Sequence, residues 1–241
     1  EDDSFWFQHR NNCLATMFKN FTPKEPILDV GGGNGVVSAA IENLGYGVTL
    51  VEPGQETINN AKQRNILNII CSTLEDANFL DSSIASVGLF DVLEHIEDEC
   101  EFLREINRIL VAQGRLYIMV PAYNFLWSEN DRYAGHYRRY TLKQLARMLD
   151  KVGFEIEFKT YIFYLLPIPT FLFRTTPSFF GFLNKNNVQE RIKKEHDKKR
   201  PMAAKLLDMM LKFELKILGK KISLPFGNSC FVIAKKRGYK N

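Results

Sequence analysis

Cysteine is scarce and scattered. The four, Cys13, Cys71, Cys100 and Cys230, stand far apart and form no C-x-x-C pair. This argues against a zinc ribbon or a disulfide framework, so no metal site is expected and a reducing cytosol is the expected setting. Neither sign of charge dominates: 32 Lys and Arg against 28 Asp and Glu leave a net +4, too mild to suggest a nucleic-acid partner. A long unbroken apolar run is also missing. The most apolar stretch, Tyr161 to Leu183, is interrupted by Pro167, Pro169, Arg174 and Pro177, whereas a spanning helix needs about 20 apolar residues, so no membrane span is expected. The first residues, Glu1-Asp2-Asp3, are acidic where a secretory leader is basic, so no signal peptide is expected. No internal repeat is visible.

What is present begins with Ile27-Leu28-Asp29-Val30-Gly31-Gly32-Gly33-Asn34-Gly35, followed by a helix-like segment from Val36 to Leu44. A buried strand running through glycines into a helix lets backbone pass close beneath a ligand, since glycine has no Cβ to block it. A dinucleotide loop carries glycines at its first, third and sixth positions. Here the sixth is Val36 and the fifth is Gly35, so the pattern is G-x-G-x-G. Alone, it is equally compatible with a tight strand–helix turn. Val48 to Glu52 reads as a second strand ending in an acid, 21 residues after Gly31. A carboxylate there can accept hydrogen bonds from both hydroxyls of a ribose, or it can cap the helix starting near Gln55.

Further strands are expected at Asn68–Cys71, Ser86–Phe90, Arg115–Val120 and Phe154–Tyr161, with a last one at Ser229–Ala234. Helices are expected over residues 1–22, Glu99–Leu110 and Leu142–Val152. The alternation predicts an α/β fold: a Rossmann-like, mostly parallel sheet with helices on both faces. Ligands of such sheets bind at the C-terminal strand ends. The Gly loop, Glu52, Thr73-Leu74 and Phe90-Asp91 all fall there.

With these residues in place the chain resembles the class I S-adenosylmethionine-dependent methyltransferases. The likeness covers nearly the whole chain and is most specific from Ile27 to about Phe154. It implies seven strands with the last inserted antiparallel, and S-adenosyl-L-methionine as cofactor. Gly31, Gly33 and Gly35 would run beside the amino-acid end of that cofactor, and Asp29 would orient the loop. Glu52 would bind the ribose diol, and Thr73 and Leu74 would border the adenine, although the Asp common in the family is Thr73 here. Phe90-Asp91-Val92-Leu93-Glu94-His95 is similar to the family's D-V-L-E-H motif, which lines the methyl region. Phe5-Trp6-Phe7 with Arg10, Pro121 to Trp127, Gly135 to Thr141 and Leu224 to Ser229 resemble a bacterial subgroup found with polysaccharide or lipid-linked glycan biosynthesis.

Methyl transfer to a hydroxyl benefits from a base about 3 Å away, and His suits that role. His9 and His196 read as solvated. His95, after strand four, is either a candidate base or a helix-start residue bonding local backbone. His136 lies in an aromatic, basic segment that suggests acceptor recognition by Tyr123, His136, Arg138, Arg139 and Tyr140, with the arginines pairing a phosphate or carboxylate. The bland alternative is a cap for the helix opened by Thr141. The domain reading is an N-terminal helix or lid (1–22), a cofactor-binding core (23–160), an apolar and basic helical cover (161–222) and a final strand with tail (223–241). The cover contains an amphipathic helix, Met202 to Leu218, and a run from Arg191 to Arg200 with six basic residues and two acidic ones. The expected activity is methyl transfer to oxygen, less readily to nitrogen, on a small-molecule or lipid-linked glycan acceptor. The cover would then meet that acceptor, a membrane surface or a second subunit. A quinone-type phenol as acceptor and a non-catalytic cofactor-binding scaffold are the alternatives. The expected location is the cytoplasm, extending to the inner face of the membrane.

Overall fold

The computed structural model describes residues 4–179 and 201–238. One seven-stranded sheet organises them: β1 (Ile27–Val30), β2 (Val48–Val51), β3 (Ile69–Ile70), β4 (Ile84–Phe90), β5 (Leu110–Pro121), β6 (Phe154–Ile162) and β7 (Ser229–Lys236). Their spatial order is β3-β2-β1-β4-β5-β7-β6. The first five strands are parallel, and β7 is antiparallel to both β5 and β6.

Strand alternation explains the two faces. Leu28, Val30, Val87, Leu89, Leu116 and Ile118 turn to one side, where they meet Phe102, Leu103 and Ile106 of α4 (Glu99–Ile109) and Leu145 and Leu149 of α6 (Leu142–Lys151). Ile27, Val48, Leu50, Tyr117 and Met119 turn to the other side. They meet Leu14, Met17 and Phe18 of α1 (Phe5–Asn20) and Val37 and Ile41 of α2 (Val36–Asn43). Period-two side-chain direction thus gives each strand a stake in both cores, and central strands are accordingly apolar on both faces. α3 (Gln55–Gln63) contributes Ala61 to the second core.

Helix ends follow local chemistry. Thr141 and Gln144 form a reciprocal capping box at the start of α6, and Asp98 accepts the Glu101 amide at the start of α4. Each satisfies amides that have no helical partner, contributing about 1 kcal/mol. The long C-terminal helix, Pro201–Gly219, packs beside α1. A succession of short helical turns spans Pro167–Thr170, Phe171–Thr175 and Thr176–Phe179. Among the described residues no helix is long and apolar enough to cross a membrane. The basic run 191–200 and His196 lie outside the described residues.

His9 corrects the sequence expectation. It is buried rather than solvated, with Nε2 2.9 Å from Glu214 Oε1. Glu214 comes from the C-terminal helix, 205 positions away, and also accepts the Phe163 and Tyr164 amides at 2.7 Å each. A carboxylate with three donors is affordable in a core where a lone one is not.

Candidate functional site

The chain leaves β1 toward β2 on one side, and β4 toward β5 on the other. The crevice between β1 and β4 is therefore the switch point, where open α/β sheets bind ligands. Its walls are the Gly loop after β1 and the Asp91–His95 loop after β4. The two touch: a Cβ on Gly31 would fall 2.9 Å from Val92 Cγ1, so only glycine allows this approach. Gly33 differs from its neighbours. It has φ +55°, and a Cβ there would meet nothing within 4 Å, so the loop is open on that side. Gly35 (φ +75°) is closed, since a Cβ would strike Ile66.

Glu52 crosses to the same loop. Its Oε2 accepts the Gly33 amide at 3.0 Å, while Oε1 accepts the Gly54 amide at 2.9 Å and the Thr57 hydroxyl at 3.1 Å. The carboxylate is only partly buried and Oε2 retains accepting capacity, so it can still take a diol hydroxyl. Asp29 is fully buried beneath the loop. One oxygen accepts the Ser38 hydroxyl at 2.5 Å and the other has no partner. Burial pushes its pKa up to about 6, with Ser38 and Arg10 opposing. These residues fit a cofactor carrying a ribose and a polar amino-acid end: an open glycine, a positioned carboxylate and an unmatched buried acceptor.

Thr73 is exposed, and its hydroxyl bonds Asp76 within a local turn. Leu74 and Phe90 turn their side chains into the cores. Asp91, at φ +57°, is held by Arg10 of α1 through a 2.5 Å contact.

Beyond Asp91 lies a polar cluster. Glu94 is 1% exposed, and neither carboxylate oxygen has a hydrogen-bond partner. Burial, then the Asp91 charge, push its carboxyl well above the usual range. His136 Nε2 is 4.0 Å from Glu94 Oε1, and the His95 and His136 rings meet edge-on at 4.7 Å. Burial, then the neighbouring His136, lower the His95 pKa. The other side of His136 is fixed, with Nδ1 2.9 Å from Asp131 Oδ1. Asp131, buried in α5 (Glu129–Ala134), also takes Arg139 Nε at 2.7 Å and Nη2 at 3.0 Å. Burial alone would raise its pKa, but the His136 and Arg139 hydrogen bonds prevail and bring it to about 2.

These contacts revise the proposed acceptor-binding set. Arg139 is buried and spends its guanidinium on Asp131 and the Ala122 carbonyl, so it is not presented to an anionic acceptor. Tyr140 is buried, donating to the Leu93 carbonyl at 3.0 Å. Arg138 pairs with Glu99 and the Glu97 carbonyl. Together they pin the 135–140 segment against the β4 loop and the end of β5, which is how His136 comes to face Glu94. Tyr123 follows β5 at φ +58°, its ring stacked on Phe125 and Tyr161 and tilted against Phe226. Sequence reading passed over Glu94 and Asp131 as site residues. Their signals were present, an acid directly before His95 and a Ser128-x-x-Asp131 helix start, but neither reveals its partner.

A separate apolar cavity of about 610 Å³ lies between Tyr164–Leu166, the C-terminal helix (Met210, Phe213, Glu214) and Leu224-Pro225. Consecutive residues of α1 link it to the crevice: His9 bonds Glu214 in the cavity wall, and Arg10 bonds Asp91.

Comparison with known proteins agrees with this geometry. The methyltransferase-domain family matches residues 6–158. A probable S-adenosylmethionine-dependent methyltransferase of Mycolicibacterium smegmatis is 23% identical over 159 residues, 65% of this chain and 62% of that protein. A ubiquinone biosynthesis O-methyltransferase of Colwellia psychrerythraea is 26% identical over 97 residues, 38% of this chain and 39% of that protein. Less than two thirds of either relative is therefore spanned. Among solved structures, a SAM-dependent methyltransferase from Archaeoglobus fulgidus superposes with a TM-score of 0.59 at 14% identity, covering 94% of both chains, a likeness of fold.

Proposed function

The chain belongs to the methyltransferase-domain family, and we propose that it transfers a methyl group from S-adenosylmethionine to an oxygen nucleophile on an acceptor with a long apolar portion. The observation that carries this reading is the meeting, across the β1–β4 crevice, of an open glycine loop with its carboxylate and the Glu94, His95 and His136 cluster. S-adenosylmethionine supplies an electrophilic methyl group on a positive sulfur. The chain's work is alignment: Glu52 receives the ribose, the loop admits the amino-acid end at Gly33, and the Arg10–Asp91 pair holds the neighbouring turn. The cluster forms the polar wall that the acceptor hydroxyl meets. Holding nucleophile, carbon and leaving sulfur in line supplies the larger part of the rate in such reactions.

The apolar portion is supported by the cavity beside α1, and by Phe171, Leu172 and Phe173 together with Met209 and Phe213, all exposed. A lipid-linked glycan and a prenylated phenol both satisfy this chemistry. The phenol is favoured by one further observation, the cluster of Tyr123, Phe125, Tyr161 and Phe226 rings beyond the end of β5, and by the activity that the Colwellia relative is named for. The surface near the cavity would then meet a membrane carrying the acceptor.

The test is transfer of labelled methyl from S-adenosylmethionine to a panel: prenylated catechols, polyprenyl-phosphate glycans and their tail-free counterparts. Labelling of tailed acceptors well above tail-free ones is expected. Equal labelling of both removes the apolar requirement, and no labelling with intact cofactor binding favours a scaffold.

A further inference from the structure

We propose that Glu94, His95 and His136 bind one divalent transition-metal ion of zinc type on the acceptor side of the cofactor loop. One atom from each of the three lies within 4.8 Å of the others. Two imidazoles and one carboxylate match the donor set of zinc sites that keep a coordination position open.

Three observations support an ion over a plain hydrogen-bonded cluster. Glu94 is buried with both oxygens unmatched, and buried polar groups without a partner are rare, so an ion would satisfy acceptors that nothing in the described residues does. The 4.0 Å between His136 Nε2 and Glu94 Oε1 is too long for a hydrogen bond. At zinc–ligand distances of about 2.1 Å, tetrahedral donors stand roughly 3.4 Å apart, so side-chain shifts of about an ångström would close the trio on an ion. Finally, one of the two imidazoles is already oriented from behind. Asp131 holds His136 Nδ1 at 2.9 Å, leaving Nε2 for the ion, while His95 is exposed beside it with the two rings 4.7 Å apart. Carboxylates and carbonyls behind metal-bound histidines fix the ring and strengthen its donor nitrogen. A second group among the described residues, His9, Cys13 and Glu214, all buried, gives a useful contrast. There His9 and two amides satisfy Glu214, leaving no unmatched donor set.

The catalytic role of this ion rests on the proposed methyl transfer; its binding does not. Through the open position it would hold the acceptor hydroxyl and lower its pKa. The hydroxyl proton passes to water, the oxygen bonds the methyl carbon, and the carbon–sulfur electron pair returns to sulfur as neutral S-adenosylhomocysteine.

The test uses the full chain, stripped by chelator, with zinc titrated calorimetrically and cobalt(II) followed by its visible absorption. One equivalent is expected, with tetrahedral-type cobalt bands. Glu94→Gln and His136→Ala should each weaken zinc binding by about 100-fold or more, and Asp131→Asn by about 10- to 100-fold. Binding of S-adenosylhomocysteine by each variant within about threefold of the parent demonstrates a folded crevice. Failure of the parent to bind zinc, or unchanged zinc affinity in folded Glu94→Gln or His136→Ala, overturns the site. Zinc binding by a parent that does not bind S-adenosylhomocysteine would refute the methyl-transfer reading and leave the metal site standing.

Discussion

Replacing Gly33 with alanine puts one methyl group to two separate tests. In the protein that methyl meets nothing within 4 Å, so packing is undisturbed, and the amide that donates to Glu52 is retained. The folding cost is then only that of a left-handed residue at φ +55°, about 1–2 kcal/mol. Cofactor binding should suffer separately, because the methyl stands on the open side of the loop. We expect the Kd for S-adenosylhomocysteine to rise at least tenfold, about 1.4 kcal/mol. Gly32→Ala is the contrast. Its Cβ would lie 2.3 Å from Leu50 Cδ1 and 2.6 Å from Asp29 Oδ2, an overpacking cost of about 1–3 kcal/mol that falls on stability first. Urea denaturation reads the first quantity and titration calorimetry the second. A folded Gly33→Ala protein that binds S-adenosylhomocysteine with parental affinity would refute the cofactor assignment of this loop.

Arg139→Ala should destabilise the fold by about 3–5 kcal/mol in denaturant, because it leaves Asp131 buried beside an unanchored His136; a loss below about 1 kcal/mol would show the pair to be dispensable. Glu214→Ala should cost about 2–5 kcal/mol by orphaning the Phe163 and Tyr164 amides, with Glu214→Gln recovering part of it; equal melts for both variants would contradict this. Asp29 supplies a pH test. Its pKa is raised from 3.8 to about 6, so its ionisation opposes folding, and that penalty is absent below about pH 4 and complete above about pH 6. The stability of the parent relative to Asp29→Asn should therefore fall by about 3 kcal/mol between pH 4 and pH 7, and a flat difference would show that Asp29 is not penalised by burial.

What the sequence carried was local. Strand positions follow from apolar runs such as Ile27–Val30, which burial on both faces requires. Helix starts follow from Asp98 and Thr141, whose side chains reach only three residues. The Gly loop and Glu52 were legible for the same reason: their spacing is fixed by a single β-α-β unit. Partners brought together by folding were not legible. His9 has polar neighbours in sequence and reads as solvated, yet its partner Glu214 arrives from the far end of the chain. Arg138, Arg139 and Tyr140 read as a recognition surface because they are polar and dense. In the structure Arg139 and Tyr140 are buried on Asp131 and the Leu93 carbonyl, whereas Arg138, paired with Glu99, keeps a partly exposed side chain.

The position of α1 follows from the same contacts and bears on how acceptor and cofactor meet. Adjacent helical residues diverge by about 100°, so His9 and Arg10 address different neighbours. One reaches the wall of the apolar cavity at Glu214, and the other the turn after β4 at Asp91. Trp6, one turn earlier, stacks on Phe163 at 3.8 Å, and Phe163 directly precedes Tyr164, which lines the cavity. The helix is thus a packed wall shared by two compartments. An apolar acceptor tail in the cavity would press on the same turn of helix that positions Asp91 at the mouth of the crevice.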